Sequence, residues 1–146
     1  MSRLLGLDHG KRRIGVAIAD AETGMAFART AIQRRNLDHD LAVVGELCTT
    51  EGVGRIVIGL PLNMDGTEGP QAAEARAFGE GLASHGLDVV YEDERLSSWE
   101  ASQRLADAGR HPARGSGELD SAAARVILQQ YLDARHRPGR VVEETE

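Results

Sequence analysis

Apolar residues recur along this chain with two different periods. Short apolar runs that end at Gly, Asn or Asp predict β-strands, and apolar residues three or four positions apart predict helices. Strands are predicted at residues 4–7, 14–18, 25–32, 55–60 and 87–91. Helices are predicted at residues 37–51, 70–86, 99–108 and 119–135, with Asn36 as the N-cap of the first helix and Pro70 in the first turn of the second.

The order of these elements predicts the fold class, an α/β protein with a five-stranded mixed sheet flanked by helices. Three consecutive strands joined by short turns form an antiparallel meander, and each of the two later strands follows a helix. Because crossover connections are right-handed, the last two strands should lie parallel to the first strand, on the side away from the second and third. The carboxyl ends of the first, fourth and fifth strands then meet at one edge of the sheet.

Length and composition are those of one globular domain. The chain has 146 residues, and we expect a single domain at residues 1–137 followed by an acidic, disordered tail at residues 138–146. The aromatic content of 3% excludes a ladder of exposed rings for stacking bases. Cys48 is predicted to be a buried, reduced thiol. We find no signal sequence or membrane span, which predicts a cytoplasmic protein with no membrane partner.

Acidic residues stand at the predicted ends of three elements. Asp8 follows the first strand, Asp93 and Glu94 follow the fifth, and Asp120 begins the last helix on its inward-facing side. Strand alternation allows only one of Asp93 and Glu94 to face the same way as Asp8, and the spacing leaves both open. Each acid also has a purely structural interpretation: a turn residue, a surface salt bridge and a helix N-cap, respectively.

Convergence of these acids at one edge predicts a site for metal ions. Carboxylates from distant parts of a chain repel one another unless a cation lies among them. Mg²⁺ and Mn²⁺ take such oxygen ligands, and a pair of ions activates water and stabilises the leaving oxygen in phosphodiester cleavage. Gly6 and Gly10 flank Asp8, and we expect them to leave room there for a large substrate. The net charge of −6 requires any attraction of nucleic acid to be local.

Four segments, in order, resemble the motifs of the YqgF/RuvX family. They are Gly-Leu-Asp-His-Gly-Lys-Arg-Arg-Ile-Gly-Val-Ala, Val-Ile-Gly-Leu-Pro-Leu-Asn-Met-Asp-Gly-Thr, Asp-Glu-Arg-Leu-Ser-Ser and Leu-Asp-Ser-Ala-Ala-Ala-Arg-Val-Ile-Leu. The resemblance extends over about residues 3–133. It implies an RNase H-like fold and a nuclease, since members are described as Holliday junction resolvases and as pre-16S rRNA nucleases.

The resemblance also implies roles for particular residues. Asp8, Glu94 and Asp120 would be catalytic and would bind Mg²⁺ or Mn²⁺, as two ions, with Asp93 as a helper. The substrate would be pre-16S rRNA, with the small ribosomal subunit as a further partner, or branched DNA, and the protein would be a monomer or a weak homodimer. Phosphate contacts are predicted for five basic residues, Lys11, Arg12, Arg13, Arg110 and Arg114.

Other functions remain open at this point. Symmetric cleavage of a Holliday junction in DNA needs two active sites and therefore a dimer. A ribosome-assembly or transcription factor without catalytic activity could keep the same fold. An actin-like or sugar-kinase-like ATPase uses a similar Gly-rich hairpin for phosphates, but it closes two domains around the nucleotide, and this chain supplies one.

Overall fold

A computed structural model describes residues 3–94 and 118–135, with side chains from residue 121 onwards in the second range. This part of the chain forms five strands and three helices. The strands are β1 (Arg3–His9), β2 (Arg13–Asp20), β3 (Met25–Gln33), β4 (Val53–Leu60) and β5 (Val89–Asp93). The helices are α1 (Leu37–Glu51), α2 (Pro70–Ala83) and α3 (Glu118–Arg135).

The predicted topology of the sheet is confirmed. Its strand order is β3-β2-β1-β4-β5, with β1, β2 and β3 antiparallel and with β4 and β5 parallel to β1. Leu7 pairs with Ile58, and Leu60 pairs with Asp93. The carboxyl ends of β1, β4 and β5 therefore lie along one edge, as expected.

Each face of the sheet carries its own hydrophobic core. On one face, Leu5, Leu7 and Ile58 pack under α1 and α2, which contribute Val44 and Phe78. On the other face the strands present smaller residues, and α3 packs against them. The second core is formed by Leu4, Ala17, Ala19, Ala26, Val57, Ala124, Ile127, Leu128 and Leu132. Leu4 and Leu5 lie in different cores because successive side chains of a strand point to opposite faces.

Local chemistry sets the predicted helix boundaries. The Oδ1 of Asn36 accepts a hydrogen bond from the backbone N–H of His39 at 2.8 Å, which caps α1. Gly52 ends the same helix with φ of 70°, a conformation that favours glycine. Pro70 occupies the first turn of α2, where its missing N–H costs no helical hydrogen bond. Cys48 is buried in α1, as predicted.

The fifth strand differs from its prediction. It was expected as a buried strand at residues 87–91, but β5 runs from Val89 to Asp93 and all five of its residues are only partly buried. The physical reason is its position at the edge of the sheet, which leaves one side without a neighbouring strand. The predicted helix at residues 99–108 and the predicted tail at residues 138–146 lie outside the described residues.

Candidate active site

The end of β1 places two polar residues on opposite faces of the sheet. Leu7 and His9 point toward α1 and α2, where the ring centroid of His9 lies 4.9 Å from that of Phe78. Gly6 and Asp8 therefore point toward α3. Burial lowers the pKa of His9, and the nearby Arg34 guanidinium lowers it further.

Glu94 reaches the same face from the other side of β4. Its backbone N–H donates to the carbonyl of Leu60 at 3.0 Å, which continues the β4–β5 ladder by one residue. Val90, two positions apart from Glu92 and four from Glu94, packs in the core under α3. Alternation along the strand thus directs Glu94 toward α3, where Asp8 also lies.

Gly59 makes this approach sterically feasible. A Cβ atom at residue 59 would lie 3.0 Å from Cδ of Glu94 and 2.5 Å from Cδ1 of Ile127. The glycine therefore leaves the space above β4 through which the carboxylate of Glu94 crosses to Asp8. Sequence reasoning missed this residue, although a glycine inside the apolar run of a central strand signals a close approach of another group.

Asp8 and Glu94 form a pair of acids in which Glu94 is buried and Asp8 is partly buried. Glu94 is only 9% exposed. Burial raises the pKa of Glu94 to about 9, and the charge of Asp8, a hydrogen bond with Asp8 and the charge of Asp93 act in the same direction. Two carboxyl groups in this arrangement share a proton or hold a cation, because two adjacent negative charges in a buried site repel each other.

Asp120 belongs to α3 near the same edge. The residue lies inside the helix Glu118–Arg135, so it is not an N-cap. The next residue, Ser121, accepts a hydrogen bond at 3.4 Å from the backbone N–H of Val16, which pairs with Leu7. The backbone of α3 at Asp120 is therefore close to the carboxyl end of β1. The side chain of Asp120 is not among the parts that the structure describes.

The remaining predicted site residues are distributed differently. Asp93 is the last residue of β5, and alternation directs it to the face opposite Glu94. Lys11 and Arg12 are exposed in the β1–β2 turn, and Arg13 begins β2 with partial burial. Arg110 and Arg114 lie outside the described residues.

The expectation for Gly6 was wrong. A Cβ at Gly6 would lie 2.8 Å from Cβ of Leu128 and 3.1 Å from the carbonyl oxygen of Ala124. The missing side chain thus allows close packing of α3 on β1 and leaves no opening for a substrate. A Cβ at Gly10 would lie 2.7 Å from the carbonyl oxygen of Arg13, so this glycine permits a tight turn.

Arg34, which the sequence analysis did not single out, fixes the turn after Asp8. Its NH1 donates to the carbonyls of Gly10 at 2.7 Å and Lys11 at 3.1 Å. Its Nε lies 3.6 Å from Oδ2 of the buried Asp40. Neither the hydrophobic period nor a motif in the sequence predicts this contact, because Arg34 follows β3 and is 24 positions from Gly10.

Within residues 3–94 and 121–135, no group of three His, Cys, Asp or Glu side chains is arranged to hold a metal ion. Asp8 and Glu94 are two of the three predicted ligands, and the third is the side chain of Asp120.

None of the described helices combines the length and the apolar character needed to span a membrane.

Comparison with known proteins relates the chain to nucleases. The family model described as "RuvX: Holliday junction resolvase" matches residues 2–134. A protein of Anaeromyxobacter dehalogenans named "Putative pre-16S rRNA nuclease" is 48% identical over 134 residues, which cover 91% of this chain and 98% of the relative. A protein of the same name from Chloroflexus aggregans is 45% identical over 136 residues, 92% of this chain and 96% of the relative.

Solved structures give the fold independently. Thermus thermophilus RuvC in complex with a Holliday junction substrate aligns with a TM-score of 0.57 at 13% identity, over 94% of this chain and 97% of that chain. The large terminase nuclease of phage G20c aligns with a TM-score of 0.52 at 15% identity, over 89% of this chain and 81% of that chain. The RNase H-like fold predicted from the sequence is thereby confirmed.

Proposed function

The chain belongs to the RuvX family, and from that premise we propose that it is a nuclease that hydrolyses phosphodiester bonds in structured nucleic acid. The observation that carries the proposal is the pairing of the partly buried Asp8 with the buried Glu94 at the carboxyl edge of the sheet. The charge of Asp8 and a hydrogen bond with Asp8 both act on Glu94, so two acids of like charge face each other at this edge.

The proposed substrate is the precursor of 16S rRNA, with maturation of its 5′ end as the reaction. Curated relatives that share nearly half of their residues with this chain carry the name of a pre-16S rRNA nuclease. Four-way junctions in DNA are the second candidate, favoured by the description of the family model. For the rRNA substrate we also propose binding to the small ribosomal subunit and a cytoplasmic location, since 16S rRNA is a component of that subunit and its precursor is processed in the cytoplasm.

Asp8, Glu94 and Asp120 are the proposed ligands of divalent cations, Mg²⁺ or Mn²⁺, and two ions are proposed. The donor set fits, because carboxylate oxygens are the ligands of hard cations and a cation would offset both the burial and the repulsion by Asp8 that raise the pKa of Glu94. Such ions, when bound, supply an activated water and stabilise charge on the phosphate oxygens.

The protein's own contribution is to hold the acids in place before the substrate arrives. Asp8 is fixed by pairing of β1 on both sides, and Glu94 by its backbone bond to Leu60 and by the space above Gly59. Preorganised groups cost no rearrangement during the reaction. The proposed phosphate contacts are Lys11, Arg12 and Arg13, which lie in or beside the β1–β2 turn, together with Arg110 and Arg114.

The proposal is tested by cleavage assays on two substrates. Wild-type protein, Asp8→Asn and Glu94→Gln are incubated with 5′-extended 16S precursor and with a synthetic four-way DNA junction, in Mg²⁺, in Mn²⁺ and in chelator. Asp38→Asn and Glu46→Gln, two exposed acids on α1, are the matched controls. We expect the controls to cleave as the wild type does, and each site variant to lose more than about a thousandfold in rate, equivalent to several kcal/mol of transition-state stabilisation.

The outcomes separate the alternatives. Cleavage of the junction alone, with the same dependence on Asp8, would replace the rRNA substrate with DNA. Cleavage that survives Asp8→Asn would remove the proposed site. Tight binding to the precursor or to ribosomal subunits, with no cleavage under any metal condition, would identify a factor without catalytic activity. Sedimentation of the active protein distinguishes a monomer from a weak homodimer.

A further inference from the structure

An open groove adjoins the acid pair on the opposite face of the sheet. It lies between the β1–β2 turn and the first turns of α1 and α2, with a volume of about 660 Å³, within the usual range for small-ligand sites. The cationic wall is formed by Lys11 and Arg34, which lie together because NH1 of Arg34 donates to the carbonyl of Lys11. The apolar wall is formed by Leu37 and Pro70, at the starts of α1 and α2.

We propose that this groove binds one unpaired nucleotide of the substrate strand, next to the phosphodiester that the acid pair cleaves. The proposal rests on the nuclease function proposed above and adds a feature to it: recognition of a single-stranded segment beside the cleavage position. Phosphate would lie against the cationic wall and the base against the apolar wall.

Position along β1 links the groove to the acid pair. Asp8 and His9 are consecutive residues, so their Cα atoms are about 3.8 Å apart, yet Asp8 faces α3 while His9 lines the groove. A nucleic-acid strand that passes over the end of β1 thus meets the acids on one side and the groove on the other. No rearrangement of the sheet is needed for both contacts.

Hydrogen bonds and an ion pair hold the Arg34 side chain of the cationic wall in place. Arg34 is held by the carbonyls of Gly10 and Lys11 and by the ion pair with Asp40. These contacts fix the turn that carries the exposed Lys11. A phosphate at this wall would meet the charge of Lys11 on a turn of defined shape, since the charge of Arg34 is paired with Asp40. Contacts of this kind fix the register of a nucleic-acid backbone.

The apolar wall has the features of a base-binding surface. Leu37 is 59% exposed and lines the groove, so its apolar surface is accessible to a base. The partly buried ring of His9 also lines the groove and packs against the ring of Phe78, a core residue that is 2% exposed. The carboxylate of Glu74 on α2 also lines the groove and repels phosphate. The nucleotide is therefore oriented with its base, and not its phosphate, toward α2.

A single pocket of this kind favours unpaired nucleotides over duplex. A base enters such a groove only when it is free of its partner and its stack, and contact with apolar and aromatic side chains then repays the loss of stacking. One pocket is also consistent with the low aromatic content of the chain, which excludes only an extended stacking surface.

Binding of two labelled RNAs tests the proposal. One is a hairpin with a short unpaired extension, and the other is the same hairpin with a blunt end. Anisotropy titrations compare the wild type with Leu37→Ala/Gln71→Ala, since Gln71 is an exposed residue of the groove. Met25→Ala is the matched control, because Met25 is also an exposed apolar residue, at 52%, but lies on β3.

We expect the wild type and Met25→Ala to bind the extended hairpin more tightly than the blunt one, and the groove variant to lose this preference by about tenfold. Equal binding of the two hairpins by the wild type, or a preference unchanged in the groove variant, would overturn the proposal. Cleavage of the precursor is measured separately. If the protein prefers the extended hairpin but does not cleave the precursor, the groove proposal stands and the nuclease proposal fails. If it cleaves the precursor but does not prefer the extended hairpin, only the groove proposal fails.

Discussion

Two buried acids in this protein, Asp40 and Glu94, have opposite electrostatic surroundings. Asp40 is 1% exposed and accepts hydrogen bonds from the backbone N–H of Arg35 and from the ring of His39, at 3.1 and 3.0 Å. Burial alone would raise its pKa, but these bonds and the Arg34 guanidinium outweigh burial and hold the pKa below its usual value. For Glu94, burial, Asp8 and Asp93 all raise the pKa.

The difference separates a structural acid from a functional one. Asp40 is ionised and compensated within the fold, so it ties the start of α1 to the end of β3 and to the hairpin turn. Glu94 faces another acid, which is unfavourable for the fold alone and favourable for binding a cation. Burial by itself does not distinguish these roles, whereas the sign of the neighbouring charges does.

Removal of the Asp40 carboxylate should have the largest effect on stability. Asp40→Ala would leave the N–H of Arg35 without its acceptor and the Arg34 charge without its partner. Loss of one member of a buried ion pair costs about 3–5 kcal/mol of unfolding free energy, and we expect the lower end of this range because the Arg34 side chain is 30% exposed and screened by solvent. Urea unfolding measures this cost, and a loss below about 1 kcal/mol would show that Asp40 is not the stabilising acid described here.

Glu94 should show the opposite behaviour in the absence of divalent ions. Its pKa of about 9 in the folded protein lies above its usual 4.5, so between these values the folded state binds more protons than the unfolded state. The unfolding free energy therefore falls as pH rises through this window, and the contribution that is complete below about pH 4.5 is lost above about pH 9. Glu94→Gln removes this contribution.

Urea unfolding in chelator, at pH about 5.5, 7 and 8.5, measures the difference between wild type and Glu94→Gln. The stability of the variant relative to the wild type should increase with pH, and Mg²⁺ should reverse this trend by stabilising only the wild type. A difference that does not change with pH would mean that the pKa of Glu94 is not raised.

Gly59→Ala should affect both the fold and the site. The added Cβ would contact Ile127 and Glu94, and overpacking of a core of this kind costs about 1–3 kcal/mol. Because the displaced carboxylate is the one that meets Asp8, cleavage should fall by more than the loss of folded protein explains. Gly45→Ala is the control, since a Cβ at that position of α1 has no atom within 4 Å. Normal activity of folded Gly59→Ala would contradict the assigned position of Glu94.

The smallest effect is expected for an exposed acid two residues from Asp40. Asp38 lies in the first turn of α1 and is exposed. Asp38→Asn should cost only the interaction with the helix dipole, about 0.3–1 kcal/mol. Thermal unfolding of Asp38→Asn and Asp40→Ala side by side shows whether burial and pairing, and not helix position, determine the role of Asp40.

The sequence predicted the topology because its signals are local or follow general rules. Strand and helix periods and the handedness of crossovers were enough to bring Asp8 to one edge with Asp93 and Glu94, and the family resemblance selected Glu94 between the two. Two kinds of information were beyond reach. The exposure of β5 depends on which strand ends the sheet, and the roles of Gly6, Gly59 and Arg34 depend on contacts between residues distant in the chain.

Calorimetry of Mn²⁺ binding tests the central claim most directly. If Asp8 and Glu94 form the metal site, binding at pH about 7 should release the proton that Glu94 retains, so the apparent enthalpy should depend on the ionisation enthalpy of the buffer. Asp38→Asn should behave as the wild type does, whereas Glu94→Gln should bind weakly and release no proton. Wild-type binding that is unaltered by Glu94→Gln, or no binding at all, would contradict the account.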